Sequence, residues 1–202
     1  MTDIEHIGSR GRPRGFDAER GVEVATHLFR ARGYDAVGVA EICATLGIKA
    51  PSFYAAYGSK RGLLERSLSL YAGSEGGFIA EALDGDDPLA DRLAALLTEA
   101  ARAYAADPSA CGCLVMEGTR NSACPDARAL TRGLREATRA LISERIARER
   151  PEVAEALAGS VMVTLAGLSA AARDGATSDS LERSAAIAAA GLRSTLGAES
   201  LF

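Results

Sequence analysis

At 202 residues, with 48% hydrophobic but only 5% aromatic side chains, the chain can bury a real core as one domain or as two small ones. Its many alanines favour close-packed helices over a β-sandwich, and no apolar run is expected to approach the ~18 residues of a membrane span. The start MTDIEHIGSR lacks the apolar stretch of a signal peptide, so a cytoplasmic protein is expected; four cysteines suggest reduced thiols rather than a disulfide framework.

The net charge of −4 is unevenly placed. From Ser9 to Arg61 nine basic residues stand against five acidic ones, a balance of +4, whereas residues 62–202 hold 14 basic against 20 acidic, a balance of −6. A basic head on an acidic body is the asymmetry of a chain that meets phosphate at one end only.

The chain order begins with SRGRPRGFD at 9–17. Pro13 and the glycines disfavour a helix, so Arg10, Arg12 and Arg14 belong to an extended arm, residues 1–15. Asp17 is placed to cap a first helix, with Glu19 in its opening turn and Val22, Ala25, Leu28 and Phe29 as its inward stripe. Arg30 and Arg32 sit in its last turn, where cations suit the helix dipole, and Gly33 stops it. A short second helix fits residues 39–46, with Gly38 as a poor cap, Cys43 interior and Gly47 as its end. A third follows at Lys49–Tyr57, with Pro51 tolerable in the first turn. Two short helices about a tight turn form a helix-turn-helix pattern, and a fourth helix starts at once behind Ser59.

Phe29, the run Arg32-Gly33-Tyr34-Asp35-Ala36, the block Val39-Ala40-Glu41-Ile42, Leu46-Gly47-Ile48, and above all Ser52-Phe53-Tyr54-Ala55-Ala56-Tyr57-Gly58-Ser59-Lys60 with Leu63-Leu64 resemble the DNA-binding head of the TetR/AcrR family of bacterial transcriptional regulators. The resemblance covers residues 10–71. Three positions depart from the usual pattern: Val37-Gly38 replaces a Ser or Thr cap, Ala50 replaces a basic residue that is found instead at Lys49, and Ala56 replaces a frequent His. The fold implied is all-α: an N-terminal three-helix helix-turn-helix domain, residues 16–61, joined to a helical effector-binding and dimerisation bundle, residues 62–202.

A recognition helix needs small or polar side chains on the face that approaches base edges. Ser52, Ala55 and Ala56, with Lys49 beside them, meet that need, while Phe53 and Tyr57 are spaced to pack inward. The resemblance implies that Tyr54 and Lys60 reach phosphates, Lys60 from a helix start whose free amides favour anions. Arg-Gly-Arg-Pro at 10–13 resembles the core of an AT-hook, so the arm is expected in the minor groove or on phosphates.

Beyond Tyr71, breaks at residues 85–88, 107–108, 124–125, 150–151 and 174–175 leave helices near 59–83, 89–106, 109–121, 126–149, 152–173 and 178–196. The last two are rich in small residues, and the resemblance implies a homodimer through 152–196 that reads a palindromic operator. It also implies release by a small-molecule effector held in the body. Leu97, Tyr104, Leu114 and Met116 are the candidates to line such a pocket, and the acidic body with its apolar interior points to a hydrophobic or cationic ligand. Neither a metal site nor a cofactor is expected: Cys111, Cys113 and Cys124 lack metal-ligand spacing, and His6 and His27 do not complete it. The rival readings are a regulator of the same fold switched by thiol oxidation at Cys111, Cys113 or Cys124, and a helical enzyme with a cysteine nucleophile. The non-enzymatic regulator is the leading reading.

Overall fold

In the computed structural model, residues 17–197 are described, and they form ten α-helices with no strand among them. The head comprises α1 (Ala18–Arg32), α2 (Val39–Leu46), α3 (Ala50–Tyr57) and α4 (Lys60–Ala72). Local chemistry sets its boundaries. The Asp17 carboxylate accepts from the amides of Glu19 at 3.0 Å and Arg20 at 3.3 Å, and the Ser59 hydroxyl accepts from Gly62 N–H at 2.9 Å. Gly47 ends α2 at φ +64, a left-handed turn that glycine adopts without a Cβ clash and that swings α3 away from α2.

Val22, Ala25 and Phe29 of α1, Ile42 and Cys43 of α2, and Phe53 and Tyr57 of α3 are buried, and α1 packs chiefly along α4. Leu28 is half-buried against this core. The expected division at 61/62 falls inside α4, which runs on to Ala72 and leads from the head into the body.

The body adds α5 (Phe78–Leu83), α6 (Leu89–Ala105), α7 (Leu114–Glu117), α8 (Pro125–Ala147), α9 (Ala154–Arg173) and α10 (Ser178–Gly197). The most extensive packing is α6 on α10, with α9 laid against α6, α8 and α10. Leu93, Leu96, Leu97, Leu114, Val161 and Leu165 fill this core with no exposed surface.

Two expected helices are corrected. The one drawn over 59–83 divides into α4 and α5, because the amides of Gly73 and Gly76 turn back to Ser69 O at 3.1 Å and Tyr71 O at 2.8 Å. The one drawn over 109–121 shrinks to the single turn of α7. Gly112, at φ +83, breaks it, and its amide returns to Tyr104 O at 2.8 Å. A third correction concerns α9: over an 18-residue stretch it is long and apolar enough by length and composition to cross a membrane. Only 39% of that stretch is buried, so this helix keeps an uncovered apolar face.

Candidate nucleic-acid interface

Helix α3 separates its residues by face. Phe53 and Tyr57 point inward, and Tyr57 O–H donates to Ala18 O at 2.9 Å. Ser52, Tyr54 and Ala55 face solvent, with Lys49 exposed just ahead of them. Tyr54 is 52% exposed, its ring held edge-on by Phe53 at 5.3 Å between centroids. Ala56, expected outside, is instead half-buried against the core, because three residues on from Phe53 it turns toward the same inward face of α3. Arg10, Arg12 and Arg14 lie outside the described residues.

Lys60 opens α4 but does not simply extend into solvent. Its Nζ lies 4.1 Å from the centroid of the Tyr34 ring, a cation–π contact. Burial lowers its pKa, and the nearby Asp35 carboxylate opposes that shift.

Behind this surface is a junction that the sequence did not disclose. Tyr34 N–H donates to Gly118 O at 2.7 Å, just past α7. Asp35 accepts from Ser122 Oγ–H at 2.5 Å and from Ala123 N–H at 2.6 Å, at the entry to α8. These bonds hold its carboxyl below the usual carboxylate range, with Ser122 the largest cause. Arg173 of α9 donates to Arg30 O at 2.7 Å. Arg30 itself is 3% exposed: its Nε donates to Gly112 O at 2.8 Å and its Nη2 to Ala103 O at 3.1 Å. It also pairs with Glu75 and lies 5.6 Å over the Tyr71 ring. Its only sequence signal, a cation in the last turn of a helix, pointed to the helix dipole rather than to a buried link between head and body.

In the body, a small cavity of about 60 Å³ is lined by Tyr71, Phe78, Tyr104, Cys113, Met116 and Leu134 among others. It includes Tyr104 and Met116 from the expected pocket residues. Leu97 and Leu114 are fully buried core and are not among its lining residues. Burial first, and then the Cys113 thiol, raises the pKa of the Tyr71 and Tyr104 hydroxyls, which hydrogen-bond to that sulfur. All four cysteines are free thiols. Among the described residues no group of three or more His, Cys, Asp or Glu is arranged to hold a metal ion.

The comparisons with known proteins agree with this geometry. Residues 22–66 match the bacterial regulatory proteins of the tetR family. The chain is 39% identical over 186 residues to the HTH-type transcriptional repressor BdcR of Escherichia coli (strain K12), spanning 92% of this chain and 94% of that one. It is 32% identical over 113 residues to the HTH-type transcriptional repressor ComR of the same organism, spanning 54% of this chain and 52% of ComR. A cysteine mutant of the TetR family transcriptional regulator CifR, solved in complex with 26 bp double-strand operator DNA, superposes with a TM-score of 0.80 at 29% identity. That match covers 89% of this chain and 98% of CifR. The protein is thus a helix-turn-helix, DNA-binding transcriptional regulator. It belongs to the tetR family.

Proposed function

We propose that the protein is a repressor that grips a palindromic operator as a homodimer through 152–196 and lets go when a small molecule enters its body. The dimer is carried by one observation: Val163 of α9 and Ile187 of α10 are 73% and 76% exposed, on helices otherwise rich in Ala, Gly and Ser. Small residues let two such helix pairs approach closely, and a single α3 reads too few bases for specificity without a two-fold mate. That both curated relatives are named repressors supports the sign of regulation. We read the protein as a cytoplasmic non-enzyme.

On this reading Ser52 and Ala55, with Lys49, meet base edges, while Tyr54 and Lys60 hold phosphates and the arm bearing Arg10, Arg12 and Arg14 lies in the minor groove or on phosphates. The effector enters the cavity at Tyr104 and Met116, which widens to receive it. A thiol-switched version draws support from Cys113 in the wall of that cavity; Cys111 and Cys124 are half-buried elsewhere. The test is to capture genomic DNA fragments with the purified protein and titrate the recovered operator, with and without peroxide. Failure to enrich any discrete sequence sinks the operator reading, and peroxide-dependent release transfers the switch to the thiols.

A further inference from the structure

A second cavity, of about 290 Å³, opens on the face made by α7, α8 and α9. Every charged residue lining it is an arginine: Arg120, Arg128, Arg132 and Arg135, beside Met116, Thr119 and Ala166. Helix α8 supplies three of them at positions i, i+4 and i+7, which share one helix face, and the turn after α7 brings in the fourth. Carboxylates compensate their charge only in part, with Asp35 near Arg128 and Glu136 near Arg135. Arg120 pairs with Glu117 at 3.1 Å. Arg128 and Arg135 spend donors on the neutral carbonyls of Ser122 at 2.5 Å and Val115 at 2.9 Å. Arg132 is exposed, and no ion pair holds it among the described residues. Burial, and then the charges of Arg120 and Arg132, lower the pKa of Arg135, with Cys113 and then Glu136 opposing. Like charges one turn apart destabilise a helix; the carbonyl bonds of Arg128 and Arg135 offset part of that cost, but Arg132 makes no such bond among the described residues.

We propose that this cavity binds a small polyanion carrying two or more carboxylate or phosphate groups. Guanidinium forks match both groups bidentately, and an anion here neutralises the crowded like charges. The site is distinct from the apolar cavity, with which it shares Met116 as a wall. It is also placed to be felt by the head. Arg120 lines a further cleft together with Tyr34 and Asp35, and α7 leads directly to Gly118, whose carbonyl holds Tyr34. That coupling to DNA rests on the regulator reading above; the binding itself does not.

The experiment is calorimetric titration of the purified protein with pyrophosphate and with citrate at constant ionic strength. At least one should bind at one site per chain, and which of them binds separates phosphate from carboxylate. Arg132→Gln, an exposed substitution that spares the fold, should weaken that binding about tenfold or more, the scale of one lost charge-assisted bond. Arg139→Gln removes the same charge from the same helix but outside the cavity, where Arg139 pairs with Glu155, and should leave the affinity unchanged. The proposal is overturned if neither anion binds at millimolar concentration, or if both variants weaken binding equally. It is overturned as well if Arg132→Gln lowers the salt slope of operator binding in anion-free buffer, which assigns the arginines to DNA, or if it dissociates a dimer, which assigns them to a partner's carboxylates.

Discussion

Lys60 Nζ rests 4.1 Å from the centroid of the Tyr34 ring, and the backbone N–H of that same Tyr34 donates to Gly118 O at 2.7 Å. A lysine assigned to phosphate is therefore stored on a residue that also anchors the head to the body. Moving Gly118 moves the seat of Lys60, which gives the body a short mechanical path to the phosphate contact proposed for that lysine.

If Lys60 must leave Tyr34 to reach phosphate, the two substitutions have opposite effects. Lys60→Ala should weaken all operator sequences about equally and lower the salt slope by up to about 0.9, one phosphate contact. Tyr34→Leu removes a cation–π contact of about 0.5–1 kcal/mol and should tighten operator binding by up to about fivefold. Binding titrations across salt concentrations read both. A looser complex with Tyr34→Leu means that the ring presents Lys60 to DNA rather than competing for it.

Recognition should separate from positioning on α3. Substituting Ser52, Ala55 or Lys49 should alter preference at individual base pairs by ~1–3 kcal/mol, whereas Tyr54→Phe should weaken every sequence alike. Single-base operator variants supply the measurement. A sequence preference that follows Lys60 but not Ser52 or Ala55 puts the recognition face elsewhere.

Arg30→Met keeps much of the side chain's bulk but strands the carbonyls of Gly112 and Ala103, both of which Arg30 now satisfies. Each buried carbonyl left unpaired costs about 1–3 kcal/mol, so urea unfolding should show a loss in that range or above it. Unchanged stability indicates that water replaces the guanidinium.

The junction should loosen in acid. The Asp35 carboxyl titrates below its ordinary value of about 3.8, so its stabilising contribution is complete above that value and is lost as pH falls through the lower folded one. Asp35→Asn should flatten this part of the stability profile below pH about 4 while leaving the slope at higher pH alone. Thermal melts of both proteins across that window decide it.

Val163→Asp or Ile187→Asp buries a carboxylate in the proposed interface and should yield monomers in sedimentation at micromolar concentration, with operator affinity falling alongside. A dimer that survives both changes assembles through another face.

The helices of the head were legible because the signals that bound them act over a few residues: Asp17 and Ser59 cap adjacent amides, Gly33 and Gly47 stop helices locally, and Pro51 fits only a first turn. The inward stripe of Val22, Ala25 and Phe29 followed from period alone, as did the exposure of Ser52 and Ala55. Periodicity failed at 59–83 and 109–121, where amides return to Tyr71 and Tyr104 and end a pattern that composition would continue.

What tertiary structure alone decided lies between distant segments. Asp35 meets Ser122 across 87 residues, and Arg173 reaches Arg30 O across 143. Arg120 joins three arginines of α8 around one cavity, although the acidic balance of residues 62–202 pointed to a hydrophobic or cationic ligand. Caps and helical periods are short-range properties that a sequence displays directly. The pairing of a buried cation with a carbonyl, or the gathering of like charges, depends on which surfaces pack together, and net charge averages over the very arrangement that determines local chemistry.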